Sequence, residues 1–250
     1  MLLENAIAFE QVDVLFQPLI EPHSGRVVGA EALARASIAP NAEALFARAA
    51  NAGLAERLSR LIQRKALRAA AAWEGPLKGL SVSLNLLPAE IAREGFEQSF
   101  IEAMDMAGID PARVVVEITE NALLVADAGV AKRLARLRDQ GVRIAIDDFG
   151  TGYSSLAYLI SLPLDLIKVD RGLISQIVGR SRDRIVVKAM IRLARELGLK
   201  VVVEGVENAA QLGLLADWGC DLYQGFHGAA ALSQDELLDF VSASLAAQAA

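Results

Sequence analysis

Short apolar runs rich in β-branched residues alternate with amphipathic runs along nearly the whole chain. The run RVVVEIT at residues 113–119 and the run LKVVVE at residues 199–204 are the clearest examples. Apolar strands of this kind are typical of a parallel sheet whose faces are covered by helices, which is an α/β fold. About eight strand candidates in one chain match a closed (β/α)8 barrel of the TIM type, and an open doubly wound sheet is the alternative.

The predicted strands comprise residues 12–20, 27–33, 80–85, 113–119, 142–147, 164–170, 199–204 and 220–225. Helices are predicted over residues 54–73, 96–107, 130–140, 182–197 and 235–245, and Asn208 is predicted to cap one more. The first strand is not followed by a Gly-rich phosphate loop, which argues against a dinucleotide-binding open sheet. The chain contains no internal linker, so we predict a single domain over residues 1–250.

The 250-residue chain has a formal net charge of −6 and a pI near 5.1. It lacks the basic field that attracts DNA or RNA, so we expect no nucleic-acid polymer as a partner. No charge-free run of about 18 apolar residues occurs, so we expect no membrane segment in this chain. The N-terminus contains Glu4 and Glu10 and no basic region. It does not resemble a signal peptide, and the cytoplasm is the expected location.

The supply of metal ligands is restricted to oxygen donors. The single cysteine, Cys220, excludes an internal disulfide and a thiolate zinc cluster. With only two histidines, His23 and His227, an imidazole-rich metal site is excluded as well. Any bound metal would be held mainly by oxygen atoms, which favours hard cations such as Mg²⁺, Mn²⁺ or Ca²⁺.

Polar side chains recur at or just beyond the ends of the predicted strands. They are Glu31, Asn85, Glu117, Asp147, Asp148, Lys168, Asp170, Glu204, Glu207 and Gln224. In a parallel barrel these strand ends open on one face, where such enzymes carry out their chemistry. Any one of these residues can be a turn or cap former. Taken together they are mostly carboxylates that converge on one face. Burying an unpaired charge costs several kcal/mol, so the set predicts a divalent-metal site.

The adjacent pair Asp147 and Asp148 precedes the segment FGTGYSS. At a strand end the second side chain can swing onto the loop, so that one carboxylate bridges two metals and the other holds the outer metal. Two metals about 3.5–4 Å apart are a common device for in-line attack on phosphoryl groups. The alternative is an ordinary turn into the next helix.

These residues fall into a series of motifs that resembles the EAL family, which comprises bacterial phosphodiesterases of cyclic di-GMP. The motifs occur in the family's order and span residues 16–225. They are Gln17-Pro18, Glu31-Ala32-Leu33 with Arg35, Asn85, EITE at 117–120, DDFGTGYSS at 147–155, Lys168-Val169-Asp170, EGVE at 204–207 and Gln224-Gly225.

The resemblance implies a (β/α)8-type barrel with an irregular strand near the N-terminus. It also implies hydrolysis of cyclic di-GMP to linear pGpG by a water activated by two metals. The implied metal ligands are Glu31, Asn85, Glu117, Asp147 and Asp148. The implied catalytic residues are Asp147, Asp148, Lys168, which contacts the attacking water, and Glu204, which lies beside it. The implied substrate-binding residues are Gln17, Glu31, Leu33, Arg35, Asp170 and Gln224. Glu207 is expected to steady the DFGTGYSS loop through Thr151 and Ser154.

The resemblance further implies two divalent cations, Mg²⁺ or Mn²⁺, with Ca²⁺ inhibitory. It also implies a homodimer that packs through residues 156–162, and membership of a longer protein with sensor domains. A cyclic di-GMP receptor that does not cleave its ligand, and that acts through a partner protein, is the alternative function. An unrelated metal-dependent barrel hydrolase is a third. The sequence departs from the family pattern at residues 36–40, Leu87, Val203 and residues 227–230, changes that we expect at the rim of the substrate pocket.

Overall fold

The computed structural model describes residues 3–120, 128–150, 156–179 and 181–248. Eight strands close into a barrel in sequence order. They are β1 (Asp13–Ile20), β2 (Val27–Arg35), β3 (Ser81–Leu86), β4 (Val114–Thr119), β5 (Arg143–Phe149), β6 (Leu166–Val169), β7 (Lys200–Val203) and β8 (Leu222–Tyr223). This architecture confirms the predicted α/β barrel and rules out the open sheet.

β1 is the irregular strand, because it runs antiparallel to both of its neighbours, β2 and β8. Only six residues, 21–26, connect β1 to β2. A connection this short can form a hairpin but not the crossover that parallel strands require. The hairpin register places Gln17 directly opposite Glu31. A side chain from an antiparallel strand is thereby brought to the same height in the barrel as one from the parallel set.

Eleven α-helices surround the barrel in the described part of the chain. They are α1 (Leu3–Ala8), α2 (Ala42–Asn51), α3 (Ala55–Ala71), α4 (Pro88–Ala92), α5 (Phe96–Ala107), α6 (Ala128–Asp139), α7 (Leu156–Ser161), α8 (Arg171–Ile174), α9 (Ser181–Glu196), α10 (Ala209–Asp217) and α11 (Gln234–Gln248). The predicted cap Asn208 is in place, since its side chain accepts a hydrogen bond from the Gln211 N–H. The sequence analysis missed α1, α2, α4 and α8. Among the described residues, no helix is long and apolar enough to cross a membrane.

The barrel interior is layered along its axis. Residues two apart on a strand point to the same side, so successive inward residues of one strand lie in successive layers along the axis. A belt of buried apolar side chains lines the lower half of the interior: Leu19, Val115, Ala145, Leu166, Val202 and Leu222. The residues two positions further along β4 to β7 are Glu117, Asp147, Lys168 and Glu204. The strands thus change from apolar to charged toward their carboxyl ends.

Candidate active site

Lys168 lies at the centre of the charged layer and is only 1% exposed. Its Nζ atom is 2.6 Å from Glu117 Oε2 and 2.7 Å from Glu204 Oε1. The same atom is 3.1 Å from Glu31 Oε2 and 3.2 Å from Asp147 Oδ1. One buried ammonium group therefore serves four carboxylates, each from a different strand or strand end.

Three amide side chains fix the orientation of Glu31 and of its surroundings. Asn85 Nδ2 donates to Glu31 Oε1 at 2.8 Å, and Gln224 Nε2 donates to Glu31 Oε2 at 2.9 Å. Gln224 Nε2 also donates to Gln17 Oε1 at 2.8 Å, and Gln17 Nε2 donates to the Ala229 carbonyl at 3.1 Å. Both carboxylate oxygens of Glu31 are therefore held before any ligand arrives.

Asp147, Asp148 and Glu204 form the cluster that suits a metal ion, with one oxygen from each residue within 4.8 Å of the others. Neighbouring residues on a regular strand would point to opposite sides. Asp148 avoids this because its φ angle is +56°, and its N–H donates to Asp147 Oδ1 at 2.9 Å. Asp is one of the few residue types that tolerates this conformation. The donor set is entirely carboxylate oxygen, which fits Mg²⁺, Mn²⁺ or Ca²⁺.

Burial and mutual repulsion set the ionisation of the cluster. Burial raises the pKa of Glu117 well above its usual value, since the nearby charges of Glu31 and Asp147 add to the effect and Lys168 only partly offsets it. Burial likewise raises the pKa of Glu204 to about 7. For Glu31 burial acts upward, but Lys168 and the amide hydrogen bonds outweigh it, so its pKa is lowered.

The pKa values of Lys168 and Asp148 are shifted by the same groups. Burial acts to lower the pKa of Lys168, but the surrounding carboxylates outweigh it and hold that pKa well above its usual value. The Lys168 side chain therefore stays cationic at neutral pH and is unsuited to accept a proton. The pKa of Asp148 is raised by burial and by the charge of Asp147. A metal-free cluster of this composition favours binding of a cation.

A cavity of about 630 Å³ opens above this layer, at the carboxyl ends of the parallel strands. All six residues expected to bind substrate line it: Gln17, Glu31, Leu33, Arg35, Asp170 and Gln224. Arg35 Nη1 donates to the Ala34 carbonyl at 2.8 Å. Asp170 Oδ1 accepts from the Gly172 N–H at 2.8 Å and so also caps α8. The cavity lies in the size range of small-molecule sites, about 300–1,000 Å³.

Glu120, to which no role was assigned from the sequence, forms a hydrogen bond with the segment after Asp148. Glu120 is buried, and its Oε2 accepts the Gly150 N–H at 3.0 Å. Its position one residue beyond β4, within the EITE motif, was the only available signal. Glu207 lines the cavity, and its backbone N–H donates to Gln211 Oε1 at 2.8 Å. Its expected partners Thr151 and Ser154 lie outside the described residues.

The departures from the family pattern were expected at the rim of the substrate pocket. In the structure they do not all lie at the cavity. Val203 is fully buried in the core between the barrel and its helices, because residues at that register on β7 point outward. Of residues 227–230, Ala230 lines the cavity. Gly225 has a φ angle of +151°, and a Cβ atom there would lie 2.3 Å from backbone atoms of Val206. A glycine is therefore required beside Gln224.

Comparison with known proteins identifies the family of this chain. The family model of the EAL domain matches residues 2–231. The cyclic di-GMP phosphodiesterase NbdA of Pseudomonas aeruginosa is 36% identical over 233 residues, which cover 90% of this chain and 29% of that protein.

Two solved structures share the fold. One, described as "PaMucR Phosphodiesterase, c-di-GMP complex", is 32% identical with a TM-score of 0.87, and the match covers 94% of this chain and 97% of that one. Klebsiella pneumoniae BlrP1, solved with cyclic di-GMP and calcium or manganese, is 30% identical with a TM-score of 0.80, and the match covers 89% of this chain and 56% of that one. This chain spans 27–37% of the length of eight curated relatives that it matches. The chain belongs to the EAL domain family.

Proposed function

We propose that this chain is a phosphodiesterase that hydrolyses cyclic di-GMP to linear pGpG and requires divalent cations, Mg²⁺ or Mn²⁺. The observation that carries the proposal is the cluster of Asp147, Asp148 and Glu204 beside a cavity that also contains a guanidinium group. Carboxylates suit the cations, and the Arg35 side chain suits a phosphate oxygen through charge-assisted hydrogen bonds. The named activity of NbdA and the cyclic di-GMP complex of MucR support the choice of substrate.

In this proposal Asp147 and Asp148 hold the cations, together with Glu31, Asn85 and Glu117 from the layer around Lys168. When bound, two such cations stabilise negative charge on the phosphoryl group and make a water molecule acidic enough to attack near neutral pH. The other parts of the reaction are carried out by the protein's own side chains.

Lys168 stabilises the negative charge that develops during attack, because its pKa keeps it cationic and the surrounding carboxylates hold Nζ in place. Glu204 lies beside Lys168 and the carboxylates Asp147 and Asp148, where it can take up the proton that the attacking water releases. Gln17, Gln224 and Asp170 position the substrate in the cavity, and Arg35 binds its phosphate. Glu120 and Glu207 hold the segment that follows Asp148.

The receptor function is the alternative, and the retained acidic residues favour hydrolysis over it. The test is incubation with cyclic di-GMP and Mg²⁺ or Mn²⁺, with pGpG measured by chromatography. We expect pGpG from the wild type, none in excess chelator, and inhibition by Ca²⁺, whose larger and looser coordination misplaces the water.

A matched pair of variants makes this test specific to the cluster. Asp147→Asn should abolish turnover, whereas Asp105→Asn, on the exposed surface of α5, should retain it. Binding of cyclic di-GMP without any pGpG in the wild type would establish the receptor instead. Full activity in chelator would refute the metal requirement.

We also propose that the chain forms a homodimer through the face beside Gly150. An apolar cavity of about 400 Å³ there is lined by Phe149, Gly150, Ile185, Val186, Ala189, Met190 and Leu193. Ile160 on α7 is 77% exposed and Ile185 on α9 is 68% exposed. Exposed apolar surface of this kind favours contact with another protein surface. Ile185→Glu should lower the mass measured by sedimentation, whereas Met106→Glu, also highly exposed but on α5, should not.

The chain's share of its relatives' length leads us to propose that it acts within a longer regulatory protein. We propose the cytoplasm as its compartment, since its substrate is a nucleotide messenger and its one cysteine is a buried free thiol. Burial raises the pKa of that thiol to about 12, so it is unreactive and takes no part in the chemistry.

A further inference from the structure

A second cavity, of about 380 Å³, opens at the opposite end of the barrel, where the parallel strands begin. Four cationic side chains line its mouth: Arg26, Lys78, Arg143 and Lys200. Glu21 lines the mouth as well, and the Asp165 carboxylate lies close to Arg143. The described residues therefore leave the mouth with an excess of positive charge in a chain whose net charge is negative.

Only part of this positive charge is paired. Arg26 Nη2 lies 2.5 Å from Glu21 Oε1, so these two residues neutralise each other. Asp165 lies near Arg143, but its Oδ1 forms an ion pair with Arg138 at 2.9 Å. Among the described residues, Arg143 Nε is buried and has no hydrogen-bond acceptor. A buried donor without an acceptor is costly, so a small rotation of the Arg143 side chain toward an anionic oxygen at the mouth would be favourable.

The walls above the mouth belong to the apolar belt, including Val115, Ala145 and Leu166. The inner end is formed by Glu117 and Lys168, with the other carboxylates of the charged layer close behind. An anionic group would be repelled from that inner end and attracted to the mouth. The cavity therefore suits a molecule with a negative group at one end and an uncharged body at the other.

We propose that this lower cavity binds a small molecule that carries a phosphate group on an apolar body. The phosphate lies at the mouth against Arg143, Lys200 and Lys78, and the body occupies the space between the belt side chains. Three cations around one group suit the double charge of a phosphate better than the single charge of a carboxylate. This site is separate from the upper cavity, which Arg35 and the metal-binding carboxylates line.

The test is calorimetric titration of the metal-free protein with inorganic phosphate, which probes the mouth alone, and with phenyl phosphate, which probes the mouth and the walls. Chelator keeps cations, and with them phosphate, out of the upper cavity. We expect saturable binding of both, with phenyl phosphate the tighter ligand. Arg143→Met should weaken that binding about 10- to 100-fold, the usual effect of losing a charged hydrogen bond.

Two matched variants make the result specific. Arg192→Met removes a highly exposed arginine of α9 and should change nothing. Arg35→Met removes the arginine of the upper cavity and should also leave binding intact. If Arg143→Met fails to fold, Lys200→Gln at an exposed position should still show weakened binding. The proposal is overturned by equal affinity in the wild type and the folded variant, by loss of binding in Arg35→Met, or by no saturable binding up to about 10 mM.

Discussion

Replacing Lys168 by Met should destabilise the metal-free protein severely, because it removes the cation that four carboxylates share. All four lie within 3.2 Å of Nζ, and the side chain is 1% exposed. Removing one partner from a buried ion pair typically costs about 3–5 kcal/mol in the free energy of unfolding. Since the lost charge here serves four partners, we expect a loss near the upper end of that range at pH 8.

Protonation of the carboxylates limits this loss and makes it depend on pH. The pKa of Glu204 is already about 7 and that of Glu117 is well above its usual value, and losing Lys168 raises both further. A carboxylate whose pKa is higher in the folded state than in the unfolded state favours folding at low pH. That contribution is lost as the pH rises through the folded pKa. The destabilisation should therefore be larger at pH 8 than at pH 6.

Urea unfolding followed by circular dichroism, in chelator at the two pH values, measures both effects. Lys188→Met, at an exposed position on α9, is the matched control and should behave like the wild type. Excess Mg²⁺ should restore part of the stability of Lys168→Met, because a bound cation replaces the missing charge. If Lys168→Met unfolds at the wild-type urea concentration at pH 8 in chelator, the account of the charged layer is wrong.

Three further predictions each concern one buried acidic residue. Because protonation of Glu204 removes a negative charge next to the bound cations, calorimetric affinity for Mn²⁺ should rise about 10-fold from pH 6 to pH 8, and Glu204→Gln should flatten that rise. Glu90 accepts hydrogen bonds from Ser59, Gln63 and the Leu87 N–H. Glu90→Leu should therefore cost about 2–4 kcal/mol in urea unfolding and Glu90→Gln about 1 kcal/mol or less. Glu120→Ala should weaken metal affinity about 10-fold while the circular dichroism spectrum is kept, and an unchanged titration would show that the Gly150 contact does not affect the metal.

The sequence predicted all eight strands because each is a short, mainly apolar run, several of them rich in β-branched residues. It missed α4 and α8 because five and four residues are too few to show a helical period. The miss at α2 has a different cause. The Asn41 side chain caps that helix, yet the helix directly follows residues 36–40, where the sequence departs from the family pattern, and no helix was predicted there. Local patterns therefore predicted the strands of the barrel better than the shorter helices around it.

The sequence could predict which residues belong to the candidate site, but not which atoms of these residues contact each other. Strand ends in a parallel barrel meet on one face, so the convergence of Asp147, Lys168 and Glu204 followed from topology alone. The distances from Lys168 Nζ to its four partners depend on side-chain packing, which a sequence pattern does not contain. The role of Glu120 was missed for the same reason, since its acceptor oxygen meets a backbone N–H thirty positions away.

Because the barrel interior is layered, one short strand places its inward side chains in three different environments. On β5 the inward residues are Arg143 at the basic mouth, Ala145 in the apolar belt and Asp147 in the charged layer, each two positions apart. A register slip of one residue would exchange all three for outward-facing side chains, so the pairing of this strand is strongly specified. Asp148 departs from the period of two, and the departure needs a φ angle of +56° and a register shift between β5 and β6. The strained backbone at Asp148 thus lies where a second carboxylate must face the same space as the first, as expected where function rather than folding sets the conformation.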